Sequence, residues 1–446
     1  MSRATQILFV TTALAATILG GPGAMGAVGP ADRPLATMEE DRHSIVTRDD
    51  FMAPRQGFFP ARKGHASWRS ERRDQMQNQP LTASDSDGVA TQEKTQAANT
   101  DRLAEAARLH QRALAIKQAA LGPDHPNLAI TMSTLAGLYK AQGRYAEAEP
   151  LYRRALAITE AALGPDHPNL AITMNNLAGL YNDQGRPAEA EPLYRRALAI
   201  TEAALGPDHP NLATIMNNLA LLYDAQGRHA DAELLYQRAL VIKEAALGSM
   251  HLEVVATLND LALLYKNQDR YAEAEPLFRR ALAITEATLG PDDPSLAVTM
   301  NNLAGLYNDQ GRYAEAEPLY QRALVINEVA LGPDHPNLAT TMNNLGGVYN
   351  EQGRYAEAEP LYQRALAINE AALGPSHPRL AITMNNLAML YGAQGRDAEA
   401  VPMLERALAI FEHRLGPKHP YTRSIQEKLA GLRVAVERGN GADVSR

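Results

Sequence analysis

The 446-residue sequence contains no cysteine, one tryptophan and six phenylalanines. Without thiols it cannot form disulfides, thiolate zinc sites, iron–sulfur clusters or a cysteine nucleophile. With so few large aromatics, a core must be assembled from Ala, Leu, Ile, Met and Tyr, a palette that favours helix. An excess of positive charge is also missing. The net charge is −8, residues 1–100 are neutral, and the acidic excess therefore lies in the remainder. A body of that sign argues against nucleic acid as a partner, because phosphates need a basic face.

Long apolar runs are scarce as well. Ile7–Leu19 is uncharged, follows Arg3, and ends at Gly20-Gly21-Pro22-Gly23 with small residues Ala24 and Gly26 beyond. It falls short of the roughly 20 residues a bilayer-spanning helix requires and has the three-part form of a secretory signal. Residues 1–26 are therefore expected to be a signal peptide, leaving an exported protein, periplasmic or secreted, without a stable membrane span. Residues 27–100 carry no helical or strand period and are expected to form a disordered linker. Phe51, Phe58, Phe59 and Trp68 lie there among Arg55, Arg62, Lys63, Arg69, Arg72 and Arg73. They read either as incidental residues of a tether or as a linear motif that docks on a partner or on the chain's own groove.

From residue 101 one unit is written repeatedly. Leu-Gly recurs at 121, 163, 205, 247, 289, 331, 373 and 415, always 42 residues apart. Such a period means a stacked array rather than several globular domains. In the unit at 164–205, Gly164 suits a helix C-cap with positive φ, and Pro168 suits a first turn. Asp166 or His167 would be the N-cap. A first helix is expected over about 169–181, with Leu170, Met174, Leu177, Ala178 and Tyr181 as its apolar stripe. Asp183-Gln184-Gly185-Arg186 is the turn. A second helix is expected over about 188–205, burying Ala190, Leu193, Tyr194, Ala197, Leu198 and Ile200. Pro192 and its counterparts should bend that helix without breaking it. A half unit precedes seven full units with first helices near 127, 169, 211, 253, 295, 337 and 379. A more polar helix over 421–437 would cap the array, and 438–446 would be a disordered tail.

Asn175-Asn176-Leu177-Ala178-Gly179-Leu180-Tyr181, Gln184-Gly185-Arg186, the run from Ala188 to Leu198 and Leu163-Gly164-Pro165-Asp166-His167-Pro168 together carry a resemblance. The chain over 101–437 resembles the kinesin-light-chain type of the tetratricopeptide repeat. That implies an all-α fold, a right-handed solenoid of stacked antiparallel helix pairs, whose first helices line a concave groove. The resemblance implies protein interaction, not a particular partner. The heptads by which kinesin light chains join heavy chains are missing, so motor attachment is not implied.

The repeated histidines, His125, His167, His209, His251, His335, His377 and His419, with Asp293 in the remaining unit, could suggest a metal row. Ligands must converge within about 2–2.6 Å of one ion, and equivalent positions of stacked units lie too far apart, so a connector role is expected and no metal or cofactor is. Glu191 and Arg195 are four apart and read as a surface pair. No phosphate loop, paired-histidine zinc helix or nucleophile elbow occurs, so the chain is not read as an enzyme.

The Asn pairs are the strongest functional signal: Asn175-Asn176, Asn217-Asn218, Asn301-Asn302, Asn343-Asn344 and Asn385-Asn386, with Asn259-Asp260 in unit four. An amide both donates and accepts, so it can pair with any peptide backbone. By the resemblance these amides face the groove; alternatively the second Asn of each pair ties neighbouring helices together. The position two after the following Leu varies among units (Gly137, Gly179, Leu221, Leu263, Gly305, Gly347, Met389), as do those just past the Tyr (among them Asn182, Asn308 and Asn350). Helical spacing puts these on the Asn side, as a tuned binding face would have them. No Lys stands among the Asn pairs in the pattern of a carboxylate clamp, so recognition of a C-terminal carboxylate is not expected. Unit four departs most: it lacks both connector prolines, Asp269 replaces the turn Gly, and an altered or softer joint is expected near 248–270. The reading that results is a scaffold binding an extended peptide or protein, with self-association open. Its rival is an architectural spacer or self-assembling component of the bacterial cell envelope.

Overall fold

A computed structural model of the chain describes residues 85–443, and their side chains over 102–434. The expected signal peptide, the aromatic–basic segment and the linker up to residue 84 lie outside these residues. Sixteen helices and no strand occur among the described residues. Helix α1, Asp85–Leu121, is the lone second helix of the half unit. Seven helix pairs follow: α2 Asn127–Ala141 with α3 Tyr145–Leu163, α4 Pro168–Asp183 with α5 Pro187–Leu205, and α6 Pro210–Ala225 with α7 His229–Leu247. Next come α8 Glu253–Asn267 with α9 Tyr271–Leu289, α10 Ser295–Asp309 with α11 Tyr313–Leu331, α12 Pro336–Glu351 with α13 Tyr355–Leu373, and α14 Pro378–Ala393 with α15 Asp397–Leu415. Helix α16, Pro420–Asp443, closes the series. None of the described helices is long and apolar enough to cross a membrane.

Two boundaries differ from expectation. Helix α1 begins at Asp85 rather than beyond 100, so the last part of the expected linker is helical. Its added turns contain Gln, Glu, Lys and Ala, with no Gly or Pro after Gly88. A helix already nucleated can extend through such residues without an apolar stripe. Helix α16 likewise runs to Asp443, through most of the expected tail.

The connector works as its residues dictate. Gly164 ends α3 at φ 89°, a conformation that costs glycine little. His167 then caps α4: its ring Nδ1 accepts the Asn169 backbone N–H at 3.1 Å. His209, His335 and His377 act alike, and in unit five Asp293 substitutes a carboxylate oxygen, 2.9 Å from the Ser295 nitrogen. The histidine row is thus a set of helix caps. The second helices that carry an internal proline run through it, as at Pro192 in α5, while α7 has Leu234 at that position. In unit four the connector keeps its turn despite the missing prolines: Gly248 has φ 92°, and His251 caps Glu253. Buried Lys243 also donates to the Glu253 carbonyl at 3.1 Å, tying that connector down.

Ala178, Ala190 and Ala197 are fully buried and let the two helices of a unit approach, while Tyr181 and Tyr194 fill the space between. Every second helix packs on its own first helix and on the next one. The main core cluster therefore runs from unit to unit, and each pair is covered by its neighbours.

Asp269 holds φ 60° where the other units have glycine, and its Oδ1 accepts the Tyr271 hydroxyl at 2.9 Å. A side chain in this region carries a steric cost that one exposed hydrogen bond only partly offsets. Asp269→Gly should raise stability by about 0.5–1 kcal/mol, read as a higher urea midpoint; an unchanged or lower midpoint would contradict the assignment of strain.

Candidate functional site

Adjacent first helices touch each other, whereas adjacent second helices make no comparable contact. The first helices therefore form the shorter side of the array. Their outward stripe in unit two is Ile172, Asn175, Asn176, Gly179 and Asn182, set three or four residues apart. Ile172 is 56% exposed, and the Asn side chains are half-buried.

Most of the Asn pairs bond across the joints between units. Asn218 donates to the Asn175 side-chain oxygen at 2.9 Å, and Asn386 to that of Asn343 at 3.1 Å. At the three intervening joints the first Asn is the tie. Asn217 donates to Thr257 at 2.8 Å, Asn259 to Thr299 at 3.2 Å and Asn301 to Thr341 at 2.8 Å. Both members of the pair therefore serve as joints, the first more often than the second. Asn385 donates to Asn386 at 3.2 Å. Asn176, Asn302 and Asn344 make no hydrogen bond to any described residue, so their amides remain available. Asn182, Asn308 and Asn350 are half-buried near the turn, and the side-chain oxygens of Asn308 and Asn350 are buried without a partner. Leu221 is 42% exposed, while Leu263 packs partly on the core and Met389 is half-buried.

The variable positions also hide a pairing that sequence reading missed. Lys140 reaches across its joint to Asp183 at 3.0 Å, and Lys266 to Asp309 at 3.2 Å. The Lys140 ammonium lies 3.0 Å from where a Cβ on Gly179 would stand, and that of Lys266 lies 3.3 Å from the same point on Gly305. Glycine at these two positions seats the lysine of the preceding unit. Lys followed 39 residues later by Gly and 43 later by Asp was the legible signal. Asp224 is buried against His229 at 2.8 Å. Lys140 and Lys266 are thus each neutralised by an aspartate across the joint.

A second set of ties closes the turn edge. Arg186 bonds Glu149 of the preceding unit at 2.7 Å and Glu189 of its own at 2.6 Å, with its guanidinium 4.3 Å from the Tyr181 ring centre. Arg153 donates to the Tyr181 hydroxyl at 2.9 Å. The pattern returns at Arg228, Arg270, Arg312, Arg354 and Arg396. The expected Glu191–Arg195 surface pair is present at 2.8 Å, but the same carboxylate also holds Arg228 of the next unit at 3.0 Å. Hydrogen bonds from Arg186, Arg270 and Arg312 hold the Glu149, Glu233 and Glu275 carboxyls below the usual range, against the opposing effect of burial. A carboxyl with a lowered folded pKa contributes stability that is fully present above its unfolded value, about 4.3, and lost as pH falls through the folded value. The array should therefore hold its thermal midpoint from pH 7 to 5 and lose it progressively below about pH 4.3. Arg312→Ala should flatten that acid limb; an unchanged limb would show that the clasp carries no linkage.

The sequence pattern of the tetratricopeptide repeat matches residues 96–161, 133–203, 171–245, 253–324, 295–371 and 340–413. Among solved structures, the chain is similar to a P. anserina protein of kinesin-light-chain type with nearly identical repeats. The two are 28% identical, with 46% of this chain and 97% of that one covered and a TM-score of 0.42. It is similar to BtubC of P. vanneervenii at 28% identity, covering 52% and 92% with a TM-score of 0.45. The fold is shared with a signal-transduction ATPase of Pyrococcus horikoshii that carries a tetratricopeptide sensor, at 14% identity, covering 73% and 46% with a TM-score of 0.53. No curated protein sequence matches it significantly. The chain belongs to the tetratricopeptide repeat family, in a 42-residue form that resembles the kinesin-light-chain repeats.

Proposed function

We propose that the chain is a non-catalytic scaffold that holds an extended segment of a partner protein against its first-helix wall. Tetratricopeptide repeats generally mediate protein–protein interaction. The observation that carries the finer reading is the set of free amides, Asn176, Asn302 and Asn344, on a wall where Lys140 and Lys266 are paired internally. Amides of this kind bond a peptide backbone whatever its side chains. Leu221, with Leu263 beside it on the next first helix, supplies an apolar contact for one or two partner side chains. If residues 1–26 act as an export signal, as their three-part form suggests, this activity lies outside the cytoplasm, in the periplasm or beyond. Near-identical units suit a long or repetitive ligand, including further copies of the chain.

Replacing Asn175, Asn217 or Asn301 would cut ties between units, each worth about 1 kcal/mol. The informative variant is instead Asn176→Ala, Asn302→Ala and Asn344→Ala together, which removes no hydrogen bond between described residues. Affinity capture from the native cell envelope should lose its bound protein with this variant while circular dichroism stays unchanged. Undiminished capture would count against the wall as the binding face and favour the architectural reading.

A further inference from the structure

The series of cross-joint bonds on the wall does not end with an asparagine. On α16, Lys428 occupies the register of the second Asn, and its Nζ donates to the Asn385 side-chain oxygen at 3.0 Å. Asn218 and Asn386 make the corresponding bond to Asn175 and Asn343. Lys428 thus extends the ladder by one rung and changes its chemistry from neutral amide to cation. This lysine stands in place of a pair member, 42 residues after Asn386.

The surroundings of this ammonium differ from those of the wall's other lysines. Lys140 and Lys266 each have an aspartate across the joint. Lys428 has no carboxylate within 4 Å among the described residues, and its one protein partner is the Asn385 amide. Glu427 is its chain neighbour, but consecutive residues on a helix do not face each other. Ser424, one turn back on the face of Lys428, lines a shallow hollow with Lys418, Arg423 and Glu427. In a chain of net charge −8 this end of the array is locally basic. Burial pushes the Lys428 ammonium below its ordinary range. A cation drawn partly out of water is costly unless it meets a counter-charge.

We propose that Lys428 is the terminal anchor of the wall, binding a carboxylate from an Asp or Glu side chain of the partner and so fixing which end of an extended segment lies against α16. The proposal rests on the wall being the binding face. A neutral amide ladder reads a backbone equally well in many registers and in both directions. One cation at one end removes that degeneracy, because only one placement brings an acidic side chain to it.

The test uses the full chain labelled with 13C and 15N lysine, with the Lys428 side-chain signal identified by its loss in Lys428→Arg. Two capped dipeptides serve as probes, N-acetyl-Asn-Glu-N-methylamide and the same molecule with Gln for Glu. The Glu probe should move the Lys428 signal saturably and the Gln probe should not. Asn385→Ala, which removes the acceptor that aims the ammonium, should weaken saturation by about fivefold, one hydrogen bond's worth. A Lys428 signal that ignores the Glu probe, or follows both probes equally, overturns the proposal. A stronger response to inorganic phosphate than to the Glu probe also overturns it, reassigning the cation to a phosphorylated ligand. Failure of the wall itself would appear separately, as partner capture that survives loss of Asn176, Asn302 and Asn344.

Discussion

Each joint between full units carries a clasp in which one arginine serves two units. Arg186 leaves its own turn, lies over Tyr181, and grips Glu149 of the unit before and Glu189 of its own. A helix hairpin by itself leaves one apolar face uncovered, so a unit is stable only when its neighbour sits in register. Burial of Ala and Tyr supplies most of the attraction but has little directional preference. The planar guanidinium accepts only one arrangement of its carboxylates and ring. Repeated at the joints from units one and two to units six and seven, the clasp sets how each unit meets the next.

With the joints set on the turn edge, the first-helix side is free to vary, and it does so under a local rule. Where Lys140 or Lys266 crosses a joint, the next unit has glycine beneath it and aspartate beyond. Where no lysine crosses, the position holds Leu221, Leu263 or Met389 in three units and remains glycine in a fourth, Gly347. Variation on this wall is therefore partly internal fitting between units, which leaves a small number of positions able to report a partner's identity. Asn176, Asn302, Asn344, Leu221 and Lys428 are among those whose side chains are not wholly engaged within the array.

The ends of the array are unequal. Helix α1 has no first helix of its own among the described residues, and Ile116 is 69% exposed where its counterpart Ile158 is buried. On α16, Arg423, Gln426 and Arg433 replace the Ala, Met and Tyr that a following helix would cover. Polar substitution closes one end against water, while an apolar stripe remains on the other.

By itself the sequence determined the helices, their caps and their order. The 42-residue Leu-Gly period, the glycines of positive φ, the His and Asp caps and the apolar spacing are local features, and each acts within a few residues of where it is written. The start of α1 escaped because a helix can grow from an anchored one through residues that show no stripe. Only the tertiary structure decided which polar side chains are free. Asn175 and Asn176 are adjacent letters with equal propensities, yet one is bonded to Asn218 of the next unit and the other is not. Glu191 satisfies Arg195 four residues away and also Arg228 from the following turn. Such pairings depend on how closely and at what angle two units approach, a distance set by the whole packed joint and expressed at no single position along the chain.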